Sequence, residues 1–479
     1  MVALYIILGI VFVLAVVVIS RTIAFKPKED TACEVSAEVF DKEKAVNNLQ
    51  QLVKCKTVSN VDSSLEDDAE FEKLIDLLPK LYPNVFKVCS FEKLPDRGLL
   101  FCFKGSKRTG KPSVLMAHYD VVPVNEDQWT KPAFDGLIEN GIMWGRGTLD
   151  TKVTFNGVLT AADELIAKGF TPENDIYFAF SGGEEINGAG AINIVDYFEK
   201  NGIELEMVVD EGGAVVRDVF PGVKEKCGLV GIAEKGMLNI EYTVKSAGGH
   251  ASAPKPNSPI VVLSEAVRRV EKNPLKYHIT KPVAEMFDTL GRRSSFVYRM
   301  IFANLWLFSG VLNMLCKKTG GEMNALLRTT VAFTTIQGSK AFNVIPPEAK
   351  MVTNIRINPD ENMDVVLNHL KKTIDNDRVE LNVINGFNPS PISRTDCEGW
   401  DRVKKAVEDT WKGCVVSPYL MVQCSDSRHY GRISDRVYRF SATEMTSEER
   451  GTIHGNDEHI RLEEIANATE FYIRLIKQC

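Results

Sequence analysis

The longest apolar run stands at the start of the chain. Residues 2–19 carry no charge. At 1.5 Å rise per residue, a helix of that length is just long enough to cross a hydrocarbon core of about 30 Å. A cleavable signal would place basic residues before the run and small residues at a cleavage site. Here no Lys or Arg precedes it, and Ser20-Arg21-Thr22-Ile23-Ala24 is a poor site. The pattern predicts an uncleaved, single-pass membrane anchor rather than a core helix. Arg21, Lys26 and Lys28 follow it, which favours a cytoplasmic body, although only three charges decide the side.

Beyond a tether and first helix over residues 33–59, short apolar runs alternate with helical periodicity. That is the pattern of an α/β sheet. Residues 112–117 (PSVLMA), 175–181 (DIYFAFS) and 205–210 (LEMVVD) read as strands, with a helix over 155–168 between the first two. The pattern changes after Gly236. Residues 238–246 alternate like a strand with one solvated face. A helix over 259–272, a strand over 351–357, a helix over 363–375 and a strand over 379–384 follow. This β-α-β-β-α-β-like segment with a long insertion reads as a separate domain, and α/β character returns from 386. The expected division is therefore 1–32 anchor and tether, 33–236 and 386–479 one discontinuous catalytic domain, and 237–385 an inserted domain.

Composition narrows the function. A 44% hydrophobic and 25% charged chain of 479 residues can bury a large core. A formal charge of −7 lacks the basic excess that nucleic-acid binding requires, so no nucleic-acid partner is expected. The ten cysteines show no regular spacing and read as free thiols.

Polar residues follow each predicted strand directly, where open α/β sheets bind ligands. They are His118 and Asp120, then Asp150 in the loop GRGTLD, then Glu184-Glu185, then Asp210 in VDEGG; His454 stands near the C-terminus. Taken singly, each has a bland reading: a satisfied polar residue, a turn or a solvated pair. Together, imidazoles and carboxylates without thiolates suit catalytic Zn²⁺, or Mn²⁺ and Co²⁺. They exceed the needs of one tetrahedral ion and would suit two that share a carboxylate.

The blocks MAHYDVVPV, GRGTLDTK, SGGEEINGAGA, VDEGG, SAGGHASAP, FNVIPPEA and TIHGNDEHI resemble those of peptidase family twenty of clan MH. This is the di-metal family of glutamate carboxypeptidase, aminoacylase, carnosinase and carboxypeptidase S. The chain looks most like the branch of carboxypeptidase S and the N-fatty-acyl amino acid synthase/hydrolase. The resemblance implies a phosphorylase/hydrolase-like di-metal catalytic domain with an inserted ferredoxin-like α+β lid, behind the membrane helix. It implies two Zn²⁺ ions, with His118 and Glu185 on opposite metals, Asp150 bridging, and Asp210 and His454 completing the set. Asp120 would orient the His118 imidazole. Glu184 would be the general base that takes a proton from a metal-bridged water. From the lid, His250 would stabilise the oxyanion, and Asn343 and Arg356 would bind a substrate carboxylate.

Two features depart from the family pattern: Cys424-Ser425-Asp426-Ser427-Arg428, and His459 in place of a basic residue. They leave the proposed ligands untouched and bear on specificity. The aromatic-rich insertion over 280–328 reads first as lid core, and otherwise as an apolar wall for an acyl chain or a surface that touches the membrane. The implied activity is metal-dependent hydrolysis of an amide bond next to a free carboxylate, with an N-acyl amino acid or short peptide as substrate. The alternative is a membrane-tethered, non-enzymatic binding protein on the same fold.

Overall fold

The computed structural model describes residues 1–27 and 35–479. Lys28 and the expected boundary between residues 32 and 33 lie outside the described residues. The apolar run forms one helix, Val2–Ala24, with nearly all of its side chains exposed. It is the one unbroken helix among the described residues long and apolar enough to cross a membrane.

The body is built on a mixed eight-stranded sheet. Its centre runs Ile176–Ser181, Ser113–His118, Met207–Val216 and Val437–Glu444, with parallel neighbours. These strands are apolar along most of their length because helices cover both faces. Leu115 and Ala117 pack into the large core with the helices Lys152–Ala167 and Leu462–Ile476. Val114 and Met116, one residue out of phase, pack against Ile194, Val195 and Phe198 on the other face. A hairpin, Ser90–Leu94 and Gly98–Phe103, forms one edge. Cys227–Glu234 and Val415–Met421 form the other. The nine described cysteines are all free.

A second sheet is antiparallel, in the order Thr330–Gln337, Glu348–Ile357, Gly236–Lys245, Glu380–Phe387. With the helices Pro259–Lys272 and Met363–Ile374 it has a core of its own, which includes Leu238, Ile240, Leu263, Ile355 and Leu370. In chain order these elements run β-α-β-β-α-β.

The insertion packs elsewhere than expected. It forms four helices, Lys281–Arg293, Phe296–Ala303, Leu305–Thr319 and Gly321–Leu327. Val283, Met286, Phe287 and Leu290 make a stripe at helical spacing and join the core of the large sheet, not that of the small one. The reading of 280–328 as lid core is corrected accordingly. The edge strand Val415–Met421 needs a cover, and the stripe on Lys281–Arg293 supplies it.

Candidate metal centre

Three strand ends and two loops converge on one acidic cluster. His118 is the last residue of its strand and is buried. Its Nδ1 lies 3.0 Å from the main-chain oxygen of Asp120, so Nε2 is left facing the cluster. Asp120 is fully buried and holds three groups at once. Its carboxylate accepts from Ser59 Oγ at 2.6 Å and from the Glu184 and Glu185 amides at 3.1 and 3.2 Å. One side chain therefore ties the first strand end to the turn after the second.

Asp150 sits between the two histidines. Its Oδ1 is 3.0 Å from His118 Nε2, and its Oδ2 is 3.1 Å from His454 Nε2. His454 Nε2 is also 3.0 Å from Glu185 Oε2. The Asp150 loop is fixed by Glu458, which sequence reasoning missed. Buried Glu458 pairs with Arg146 Nη1 at 2.6 Å and accepts from the Leu149 amide at 2.7 Å. A separate three-stranded sheet, Leu137–Glu139, Ile142–Trp144 and His459–Arg461, delivers the His454 segment to this loop. His459 is spent on that sheet, its ring against Trp144 and its Nδ1 2.7 Å from the Asp457 carbonyl.

On the third strand the structure brings Glu211, not Asp210, to the cluster. Glu211 Oε1 lies 3.5 Å from His118 Nε2, and His118, Glu184 and Glu211 form a group able to hold an ion. The Asp210 carboxylate instead accepts from the Ser427 amide at 3.0 Å, and Asp210 is in neither such group. The physical reason is the two-residue period of a strand: neighbouring side chains point to opposite faces. No signal in VDEGG distinguishes the two acids. The glycines that follow have a packing reason, since a Cβ on Gly213 would stand 1.8 Å from the Leu229 carbonyl oxygen.

The segment Cys424–Arg428 explains where Asp210 is held. Ser425 and Ser427 donate to Glu234, which makes a buried pair with Arg439 at 2.6 Å. Asp426 accepts from Ser181 and lies buried, close enough for its charge to act on Glu184.

The electrostatics are those of an anion cluster in need of cations. Burial, and then the Asp150 charge, push Glu211 up to about 8. Burial holds Glu184 well above the usual carboxylate range. Bonds to Asp150 and Glu185 push His454 up to about 10. Burial and then Asp426 push Asp210 up to about 6. Glu185 Oε1 is buried without a hydrogen-bond partner. Hard oxygens and neutral imidazole nitrogens around an orphaned carboxylate oxygen fit divalent ions such as zinc or manganese.

The residues expected from the unit built on the four-stranded antiparallel sheet stand apart. His250 is exposed on a two-residue strand and bonds Ser252 Oγ at 2.7 Å. Asn343 is exposed, and its carbonyl accepts from the Ala251 amide. Among the described residues, no hydrogen bond or ion pair joins His250, Asn343 or Arg356 to the cluster. Arg356 reaches the other unit through Cys424, with Nη1 3.2 Å from Sγ.

Residues 114–478 match the model of peptidase family M20/M25/M40. The chain belongs to that family. A probable carboxypeptidase S-like protein of Dictyostelium discoideum is 33% identical over 470 residues, 95% of this chain and 90% of that one. The N-fatty-acyl-amino acid synthase/hydrolase of Xenopus tropicalis is 34% identical over 447 residues, 92% and 87% respectively. The M20 metallo-carboxypeptidase Sso-CP2 of Sulfolobus solfataricus shares the fold, with TM-score 0.67 at 17% identity over 92% of this chain and 99% of that one. The M20 family is one of dinuclear metal-binding peptidases, and this member is a hydrolytic enzyme. The non-enzymatic alternative is not favoured.

Proposed function

We propose that this M20 enzyme hydrolyses, or in reverse forms, the amide bond of an N-acyl amino acid or short peptide with a free terminal carboxylate. The observation that carries the reading is Asp150, with one carboxylate oxygen at His118 and the other at His454. That placement suits a carboxylate shared between two ions. His118 and Glu211 would complete one site and His454 and Glu185 the other, with zinc the preferred metal. Two divalent ions held there supply polarisation of the scissile carbonyl and a lowered pKa for water.

The chain's own residues do the rest. Glu184 lies half-buried beside the ligand atoms of His118 and Glu211 and is the general base: it takes the proton of the attacking water and passes it to the leaving amine. Asp120 keeps the His118 ring and both Glu184 and Glu185 in place. The small unit acts as a lid. His250 meets the oxyanion when the lid closes, and Asn343 with Arg356 receives the substrate carboxylate, for which a planar guanidinium is suited. The helix Val2–Ala24 is the membrane anchor.

A panel of N-acyl-phenylalanines of increasing chain length, hydrophobic dipeptides and their C-terminal amides, assayed with and without chelator, tests this. Free acids turn over, amides do not, chelation abolishes the activity and zinc restores it. Equal turnover of acids and amides would remove the carboxylate role of Asn343 and Arg356. Activity indifferent to chelation would remove the metals.

A further inference from the structure

The helices Phe296–Ala303 and Leu305–Thr319 meet at a bend of 111° around Asn304. With 8 and 15 residues, neither is long enough to span about 30 Å of hydrocarbon. Their inner side belongs to the body: Phe302, Leu305, Leu312 and Cys316 pack on the core of the large sheet. A helix lying on a soluble protein turns polar residues outward. This one does not. Residues 305–316 carry no charge. Trp306, Leu307, Val311, Met314 and Leu315 are exposed on the longer helix, Trp306 at 57% and Met314 at 61%. Phe296 and Val297 on the shorter helix are exposed at 51% and 62%. A contiguous apolar face of this kind calls for an occupant.

The N-terminal helix says what the occupant is. Its C-terminal end is bolted to the bend. Arg21 donates to the Ala303 carbonyl at 3.1 and 3.3 Å, and the buried Asn304 Nδ2 lies 3.3 Å from both the Val18 carbonyl and Thr22 Oγ1. Arg292 donates to the Lys26 carbonyl and stacks over Phe25. From that junction Trp306 reaches back along the anchor and lines one open apolar groove with Ile6, Ile10, Val13 and Val17. A side chain beside the middle of a spanning helix stands at the depth of the acyl chains. Lys317 and Lys318, exposed at the far end of the longer helix, suit lipid headgroups.

We propose that the bent pair Phe296–Thr319 is a second, non-spanning membrane element, which dips from the bilayer surface into the acyl chains beside the anchor and holds the catalytic body against the lipid. The proposal rests on the anchor reading above, and the test separates the two. The full-length chain, with its metals, is reconstituted into phosphatidylcholine vesicles and washed with alkaline carbonate. Tryptophan emission is then quenched with lipids brominated on the acyl chain and, separately, with acrylamide. The chain has five tryptophans, and the other four, Trp129, Trp144, Trp400 and Trp411, belong to the catalytic body. Expected are a wash-resistant protein and a bromolipid-quenched component that disappears in Trp306→Phe, a substitution that keeps the ring apolar and the fold intact. Release by carbonate overturns the anchor reading. A wash-resistant protein whose Trp306 is quenched by acrylamide and not by bromolipid overturns the membrane element alone. Shielding of Trp306 from both quenchers overturns it in favour of a second copy on this face.

Discussion

Glu211→Gln and Asp210→Asn are adjacent, isosteric changes with opposite expected outcomes. Glu211 Oε1 stands 3.5 Å from His118 Nε2 inside the cluster. Its amide analogue loses the charge that a cation needs. Changing a residue that merely supports a metal ligand costs 10–100-fold in affinity, about 1.4–2.7 kcal/mol, and a direct ligand lies at or beyond the upper end. Asp210 accepts one amide hydrogen bond from Ser427 at 3.0 Å, which an asparagine oxygen can still accept, so Asp210→Asn costs about 1 kcal/mol of stability and no metal. Protons give a second readout. Without metal the Glu211 carboxyl sits at about 8, so metal must displace its proton below that pH. The Glu211 contribution is therefore complete above pH 8 and is lost as pH drops, on top of the proton that metal displaces from His454, held up to about 10. One displaced proton costs about tenfold, or 1.4 kcal/mol, per pH unit. Elemental analysis after dialysis measures stoichiometry, and chelator competition between pH 6 and 8 measures the slope. Glu211→Gln should hold fewer ions and lose about one proton from the slope. Metal loss in Asp210→Asn with full retention in Glu211→Gln would refute the assignment.

Glu184→Gln should keep the wild-type metal content while kcat falls by about 10²–10⁴, because it removes a base and none of the four ligands proposed around Asp150; an unchanged kcat removes Glu184 from the mechanism. Leu290→Ala should lower the stability of the catalytic unit by about 2–5 kcal/mol in denaturant unfolding, because Leu290 is fully buried in the core of the large sheet; a loss confined to the small unit would return the insertion to it.

Much of the molecule is legible one residue at a time. The uncharged run over 2–19 can only be a long apolar helix, and Ser113–His118 and Ile176–Ser181 announce themselves as buried strands by unbroken apolar runs with polar residues at the end. His118, Asp120, Glu184 and Glu185 stand out as candidates because they follow such strands directly, whereas Asp150 and His454 stand out only through the blocks GRGTLDTK and TIHGNDEHI that resemble the family. What tertiary structure decided is which way a side chain faces and what stands opposite. Asp210 and Glu211 are chemically interchangeable in VDEGG, and only the phase of the strand in the sheet sends Glu211 to His118 and Asp210 to Ser427. Glu458 is a loop carboxylate until folding brings Arg146 to it from 312 residues away. The helix Lys281–Arg293 carries a stripe that fits any apolar surface, and the uncovered edge strand Val415–Met421 chose it. Periodicity is written along the chain, whereas the identity of a partner depends on contacts between residues that the chain order keeps far apart.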